Sequence, residues 1–305
     1  VSNISETVSQ VLAMKRQPPL PSDQNRFAFR TGFTIVELLV TMGVVGGLLV
    51  VLIPALGVAR ESARRLECHN HLKQIGLALH SYHYVSRFLP PAWRWDDQKV
   101  TAFGWIPPLL PFLGSDFPPI PVDFQSAVSS PANLRAREST PTIFQCPSDL
   151  SEKQFLLYSA APPSGSFRDI PLVTLPSANY VGVFGIQEPD DHWWKGPGEG
   201  VFHSVDSTRF DDIGRGLSQV FLVGERRTSS IPSTWLGIDS RGEDAHCRIL
   251  GNANRGPNFP YADQCEFTSR HRGAANFLFA DGHVDSISNS IDPETYQQMA
   301  RRNPD

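Results

Sequence analysis

Four cysteines, Cys68, Cys146, Cys247 and Cys265, are the most reactive side chains in this sequence. None belongs to a Cys-x-x-Cys pair, so the usual zinc-ribbon and thioredoxin spacings are absent. An even number in a chain that leaves the cytosol suits two disulfides, whereas a cytosolic chain would keep four buried thiols. Three pairings are possible, and spacing alone does not choose among them. Glu225, His271 and Asp281 could in principle form an acid–base or metal cluster. Each also has a plain structural reading: Glu225 ends a strand, His271 precedes the bend at Gly273, and Asp281 shapes a turn with Gly282. His80 and His83 stand at i, i+3 with His69 and His71 nearby, yet no acid is placed to join them. Packed or surface histidines are therefore expected, with no metal and no cofactor. Gly-x-Ser-x-Gly, His-Glu-x-x-His and Walker-type loops are missing, and the expectation is a protein that is not an enzyme. The net charge of −4 and the lack of a long basic run argue against nucleic acid as a partner.

The elements that carry these residues divide the chain in two. All but four of the 26 prolines (Pro18, Pro19, Pro21 and Pro54) lie at or beyond Pro90. Proline breaks helix interiors, so the back two-thirds should be strands and loops. The front differs: from Leu38 to Ala59 no residue is charged, and about 20 apolar residues suffice to cross a bilayer as a helix. A secretory signal peptide has a shorter apolar core followed by its cleavage site. Here the informative residues come first: Arg26, Arg30, Thr31, Gly32, Phe33, Thr34, Ile35, Val36 and Glu37.

That string resembles the class III signal of type IV prepilins and type II secretion pseudopilins. The resemblance implies cleavage after Gly32 by a prepilin peptidase/methyltransferase, methylation of the new N-terminal Phe33, and a subunit-assembly role for Glu37. Pro54 falls where pilin helices often carry a kinking proline. Physical chemistry supports a role for Glu37, because carboxylates near the end of a membrane helix are costly and usually functional. The freed amino group of Phe33, in the same chain or a neighbour, would offset that cost. Positive charges flank the apolar run on both sides, so the leader motif rather than charge counting sets the expected orientation. The N-terminus is cytoplasmic before processing, the protein crosses the inner membrane once, and the head is extracytoplasmic.

Beyond the span, Leu72, Ile75, Leu79 and Tyr82 recur at helical spacing, so the helix should run on to about residue 84. Short apolar runs bounded by turn residues predict strands at Gln154–Tyr158, Asn179–Ile186, Gly200–Val205 and Gln219–Glu225. Asn276–Ala280 and His283–Ile287 predict a hairpin around a two-residue Asp281-Gly282 turn. Asp292 should cap a final short helix with Pro293 in its first turn. The expected fold class is α+β: a long N-terminal transmembrane helix continuing into a pilin-like head with an antiparallel β-sheet. The divisions are a leader over residues 1–32, a membrane helix over 33–59, a helix extension over 60–87 and a head over 88–305.

The chain also resembles, over nearly its whole length, the prepilin-like proteins called domain of unknown function 1559. The matching blocks are Cys68-His69-Asn70 with Leu72 to His80, Leu110-Pro111-Phe112, Cys146-Pro147-Ser148-Asp149, Asn179-Tyr180, Gly216, Ser218 and Glu225, and Ser269 to Gly273 leading to Asn276, Asp281, Gly282 and Val284. Arg272, Ala274, Arg215, Leu217 and Gln219 depart from the family pattern. The resemblance marks His271, Gly273, Asp281 and Gly282 as family-motif residues. It also implies a Cys68–Cys146 bond, leaving Cys247 with Cys265. The function it implies is an envelope protein anchored in the lipid bilayer, with other pilin-like subunits as partners. The alternative is a membrane-tethered protein that captures a solute or glycan, for which Trp93, Trp95, Trp105, Trp193, Trp194 and Trp235 would supply aromatic surfaces.

Overall fold

The computed structural model describes residues 34–115, 117–149, 152–160, 170–192 and 197–304. The leader, Gly32, Phe33, Trp193 and Trp194 lie outside the described residues. The chain has two compact units, one up to Pro54 and a second over Ala55–Asp305.

Helix α1 spans Ile35–Ser86 and contains Pro54. At its start, Thr34 and Glu37 cap one another: the Thr34 amide and hydroxyl donate to Glu37 Oε2, and the Glu37 amide donates to Thr34 Oγ1. This reciprocal pattern satisfies amide groups that have no partner inside the helix. At its end, Arg87 turns into the left-handed region with φ of 68°, and the Leu89-Pro90-Pro91 stretch that follows cannot continue a helix. Ile35, Leu39, Leu48, Leu49, Ile53 and Leu56 are all exposed. Among the described residues, α1 is the one helix long and apolar enough to cross a membrane.

The second unit is β-rich, with short helices. Strands β1 (Trp93–Trp95), β2 (Thr101–Gly104) and β8 (Gly237–Asp239) form an antiparallel sheet; β3 (Gln154–Tyr158), β4 (Pro171–Ala178) and β7 (Ser233–Thr234) form another. The central sheet has five strands in the order β11 (Val284–Ser288), β10 (Ala274–Phe279), β6 (Phe221–Glu225), β5 (Tyr180–Gly185), β9 (Leu250–Asn252). Its pairings are antiparallel except β5 with β9, which is parallel. Short helices α2 (Leu134–Glu138) and α3 (Pro189–His192) lie between strands, and α4 (Pro293–Ala300) closes the chain.

Strand alternation sends neighbouring side chains to opposite faces of the central sheet, except in β6, where a bulge at Leu222 shifts the register against β10 between Leu278 and Phe279. One face carries Leu222, Val223 and Leu278 into the main core with Leu72, Ile75 and Leu79 of α1. The contact is close: a Cβ on Gly76 would lie 2.8 Å from Leu278 Cδ1. The other face carries Phe221, Phe277 and Phe279 against Tyr296 of α4. Asp292 caps α4 as expected, accepting from the Thr295 amide at 2.8 Å.

The α+β plan therefore holds, with three differences in detail. Gly200–Val205 forms no strand. Only Gly200 and Phe202 donate to β5, while Val201 and Phe202 fill the core. The sheet is mixed, because the chain entering β9 from the 3₁₀ turn at His246–Arg248 runs alongside β5 in the same direction. The β10–β11 turn is a three-residue loop: the Gly282 amide donates to Phe279 O, the Phe279 amide donates to His283 O, and of Asp281 and Gly282 only Gly282 has positive φ. This is a type I turn closed by a left-handed glycine, the alternative to the two-residue turn.

Candidate functional site

The polar end of the helix–sheet interface is where chemistry concentrates. One stripe of α1 reads Cys68, Leu72, Ile75, Leu79, all buried. On the facing side of the sheet, Asn276 lies two residues before Leu278, and Glu225 two residues after Val223. The apolar ends of these patterns meet each other, so their polar ends meet too. Cys146 arrives from the loop after the 3₁₀ turn at Thr142–Phe144. His271 arrives from the segment before β10.

The result is a compact buried cluster. Cys68 Sγ lies 2.9 Å from Cys146 Sγ without a disulfide bond between them. His271 Nε2 is 3.3 Å from Cys68 Sγ, 3.6 Å from Cys146 Sγ and 3.7 Å from Glu225 Oε1. One donor atom from each of Cys68, Cys146, Glu225 and His271 falls within 4.8 Å of all the others. All four residues are at most 6% exposed.

A surrounding layer fixes each group. His271 Nδ1 lies 2.7 Å from Glu61 Oε1, and Glu61 in turn accepts from Arg64 and Ser148. Glu225 accepts from the Ser269 hydroxyl at 2.8 Å, the Asn276 amide at 3.0 Å and Asn276 Nδ2 at 2.8 Å. The Cys146 amide donates to Asn179 Oδ1 at 2.8 Å, and Asn179 Nδ2 donates to Asp149. Asp149 also accepts from the Thr228 amide and hydroxyl and from Arg270.

Charge distribution follows from these contacts. The hydrogen bond from Cys68 pulls the Cys146 thiol down to about 7; burial opposes this and His271 assists it. The same contact, with burial, pushes Cys68 far up. Burial alone would lower His271, but Cys146, Glu225 and Glu61 together raise it to about 9. These contacts therefore favour the charged forms of both Cys146 and His271 relative to the free side chains.

The sequence candidates divide as follows. Glu225 and His271 come together, but Asp281 does not join them; it accepts from the His283 amide in the β10–β11 loop and pairs with the His283 ring. Gly273 and Gly282 both adopt positive φ at bends. His80 and His83 pack against Phe210, with ring centroids 4.5 Å away in each case. Of the Cys pairs implied by resemblance, Cys247–Cys265 is a disulfide, and Cys68 with Cys146 is the thiol pair of the cluster. Trp93, Trp105 and Trp235 are core residues rather than surface platforms. Glu61, Asn179, Ser269 and Asn276 were not singled out for this site. For Asn179, Ser269 and Asn276 the signal was present, since they lie in the blocks quoted for the resemblance. Glu61 offered none, because an acid three residues before Arg64 reads as an exposed helix pair.

These features define an α+β head carried on a long N-terminal helix, with a buried Cys/His/carboxylate cluster at their junction. The chain belongs to the family described as protein of unknown function (DUF1559), whose model matches residues 58–294. No curated protein and no solved structure matches the chain.

Proposed function

We propose that this protein is a pilin- or pseudopilin-like envelope subunit that a prepilin peptidase/methyltransferase cuts after Gly32 and methylates at Phe33. Its apolar helix then anchors it in the inner membrane, with the head on the extracytoplasmic side. The role is structural rather than catalytic, and its partners are the peptidase, the lipid bilayer and other pilin-like subunits. The observation that carries this reading is the uncharged Leu38–Ala59 stretch, exposed throughout within a single helix and preceded by Glu37. A plain tether has no need of a carboxylate at that position. After cleavage at Gly32, Glu37 lies about one turn from the new amino terminus, close enough to pair with that of its own chain or a neighbour.

The test is Glu37→Ala in cells, scored for cross-linked higher-order species and for membrane retention. The proposal expects retention without assembly. Unchanged cross-linking would instead favour an anchored binding protein. The burial of Trp93, Trp105 and Trp235 weighs against that second reading, because it removes half of the sequence's tryptophans from the candidate binding surface.

A further inference from the structure

We propose that Cys68, Cys146, His271 and Glu225 form a tetrahedral site for a thiophilic divalent cation of the zinc class. The inference concerns the head alone and does not rest on the membrane reading.

Geometry is the first support. Zinc bound at about 2.3 Å from sulfur and about 2.0–2.1 Å from nitrogen or oxygen gives donor–donor edges of roughly 3.4–3.8 Å. The three edges from His271 Nε2, at 3.3, 3.6 and 3.7 Å, already approach these values. The sulfur–sulfur edge, at 2.9 Å, is the short one. The two Glu225–sulfur edges lie within 4.8 Å, so the tetrahedron needs side-chain rotation that opens the sulfur pair by about 0.9 Å and sets Glu225 at a similar distance from both sulfurs.

The second support is the arrangement around the donors. A histidine that binds metal through one ring nitrogen commonly donates the other N–H to a carboxylate, which fixes its tautomer and direction. His271 Nδ1 has Glu61 at 2.7 Å, leaving the Nε2 lone pair aimed at the two sulfurs. Glu225 is held in place by Ser269 and Asn276. Its hydrogen-bond partners there are neutral. A carboxylate buried beside two thiols calls for positive charge, and a dication supplies it.

A Cys68–Cys146 disulfide is the competing outcome. It needs a closure of similar size, about 0.9 Å, but it uses only two of the four converging groups. Metal binding accounts for all four. The thiols bind as thiolates and His271 through an unprotonated Nε2, and any protons these groups carry leave to solvent as the metal binds.

The test uses the full chain extracted in detergent and purified without chelator. Metal content is measured by elemental mass spectrometry, and cobalt(II) is added to chain stripped of its metal. The expected result is about one zinc per chain, intense sulfur-to-cobalt charge-transfer absorption, and a rise in the unfolding midpoint on adding zinc. Intact mass should then gain two hydrogens on reduction, from Cys247–Cys265 alone. Cys68→Ser and His271→Ala should reduce bound metal to background. Glu61→Gln, which alters a positioning residue, should weaken affinity about 10–100-fold. A metal-free chain that gains four hydrogens on reduction would overturn the proposal, as would cobalt bound without thiolate absorption. The cobalt spectrum of the unaltered chain decides the matter even where a variant fails to fold.

Discussion

Helix α1 contains two halves of similar apolar character and opposite surroundings. Leu48 and Leu49 are 58% and 49% exposed, whereas Leu72 and Leu79 are 0% exposed. The first half is uncharged and apolar on every side, which in water would leave a continuous hydrophobic surface. The second half alternates buried positions with Glu67, Lys73 and Gln74, and its apolar stripe finishes a protein core. Leucine content alone thus says little. What separates a membrane-type surface from a core-type stripe is whether charge recurs on the remaining faces of the helix.

That contrast can be broken most forcefully in the second half. Leu79→Ala should destabilise the head by about 2–5 kcal/mol, as expected for a large-to-small change in a filled core. Leu49→Ala should leave head unfolding in urea unchanged, and a comparable loss there would erase the distinction. Leu49→Arg should produce the reverse pattern. A charge near the centre of a span costs roughly 2.5–3.5 kcal/mol on insertion scales. The expected result is a chain displaced from the membrane fraction whose head still unfolds at the normal urea concentration.

Smaller effects separate the two faces of the central sheet. Asp292→Ala removes the N-cap of α4, which covers the face away from α1, and should cost about 1 kcal/mol in urea unfolding. The smallest effect concerns Glu188, beside the Cys247–Cys265 disulfide. Burial, and then the charges of Asp263, Asp191, Asp190 and Asp244, raise it to about 7. The folded state therefore binds this proton more tightly than the unfolded chain does. Stability from this group is complete below the ordinary glutamate range and is lost as pH rises through about 7. Glu188→Gln should raise the thermal midpoint above pH 7 and leave it unchanged near pH 4. Solvent screening keeps the gain modest, and an equal gain at both pH values would rule out titration as its cause.

The parts of the molecule that local patterns control are legible in the sequence. The extent of α1, strand Gln154–Tyr158, the Phe221–Glu225 strand and the Asp292 cap follow from periodicity, turn residues and capping. The parts that a partner distant in the chain decides are not. Nothing near Leu250 announces that it will lie parallel to β5. Gly200–Val205 reads as a strand, yet its pairing stops after Phe202 because the buried Val201 and Phe202 are claimed by the core. The site shows the same division. Residue type groups Glu225 with His271, but their meeting with Cys68 and Cys146 depends on contacts spanning 203 residues between Cys68 and His271. Asp281 was grouped with them on residue type alone and serves the β10–β11 loop.

The central claim is that the exposed apolar half of α1 is a processed membrane anchor. Its most direct test is intact-mass and N-terminal peptide mass spectrometry on protein extracted from membranes. The account predicts a chain beginning at a methylated Phe33. A chain that retains its leader, or one cut after residue 59, would contradict it.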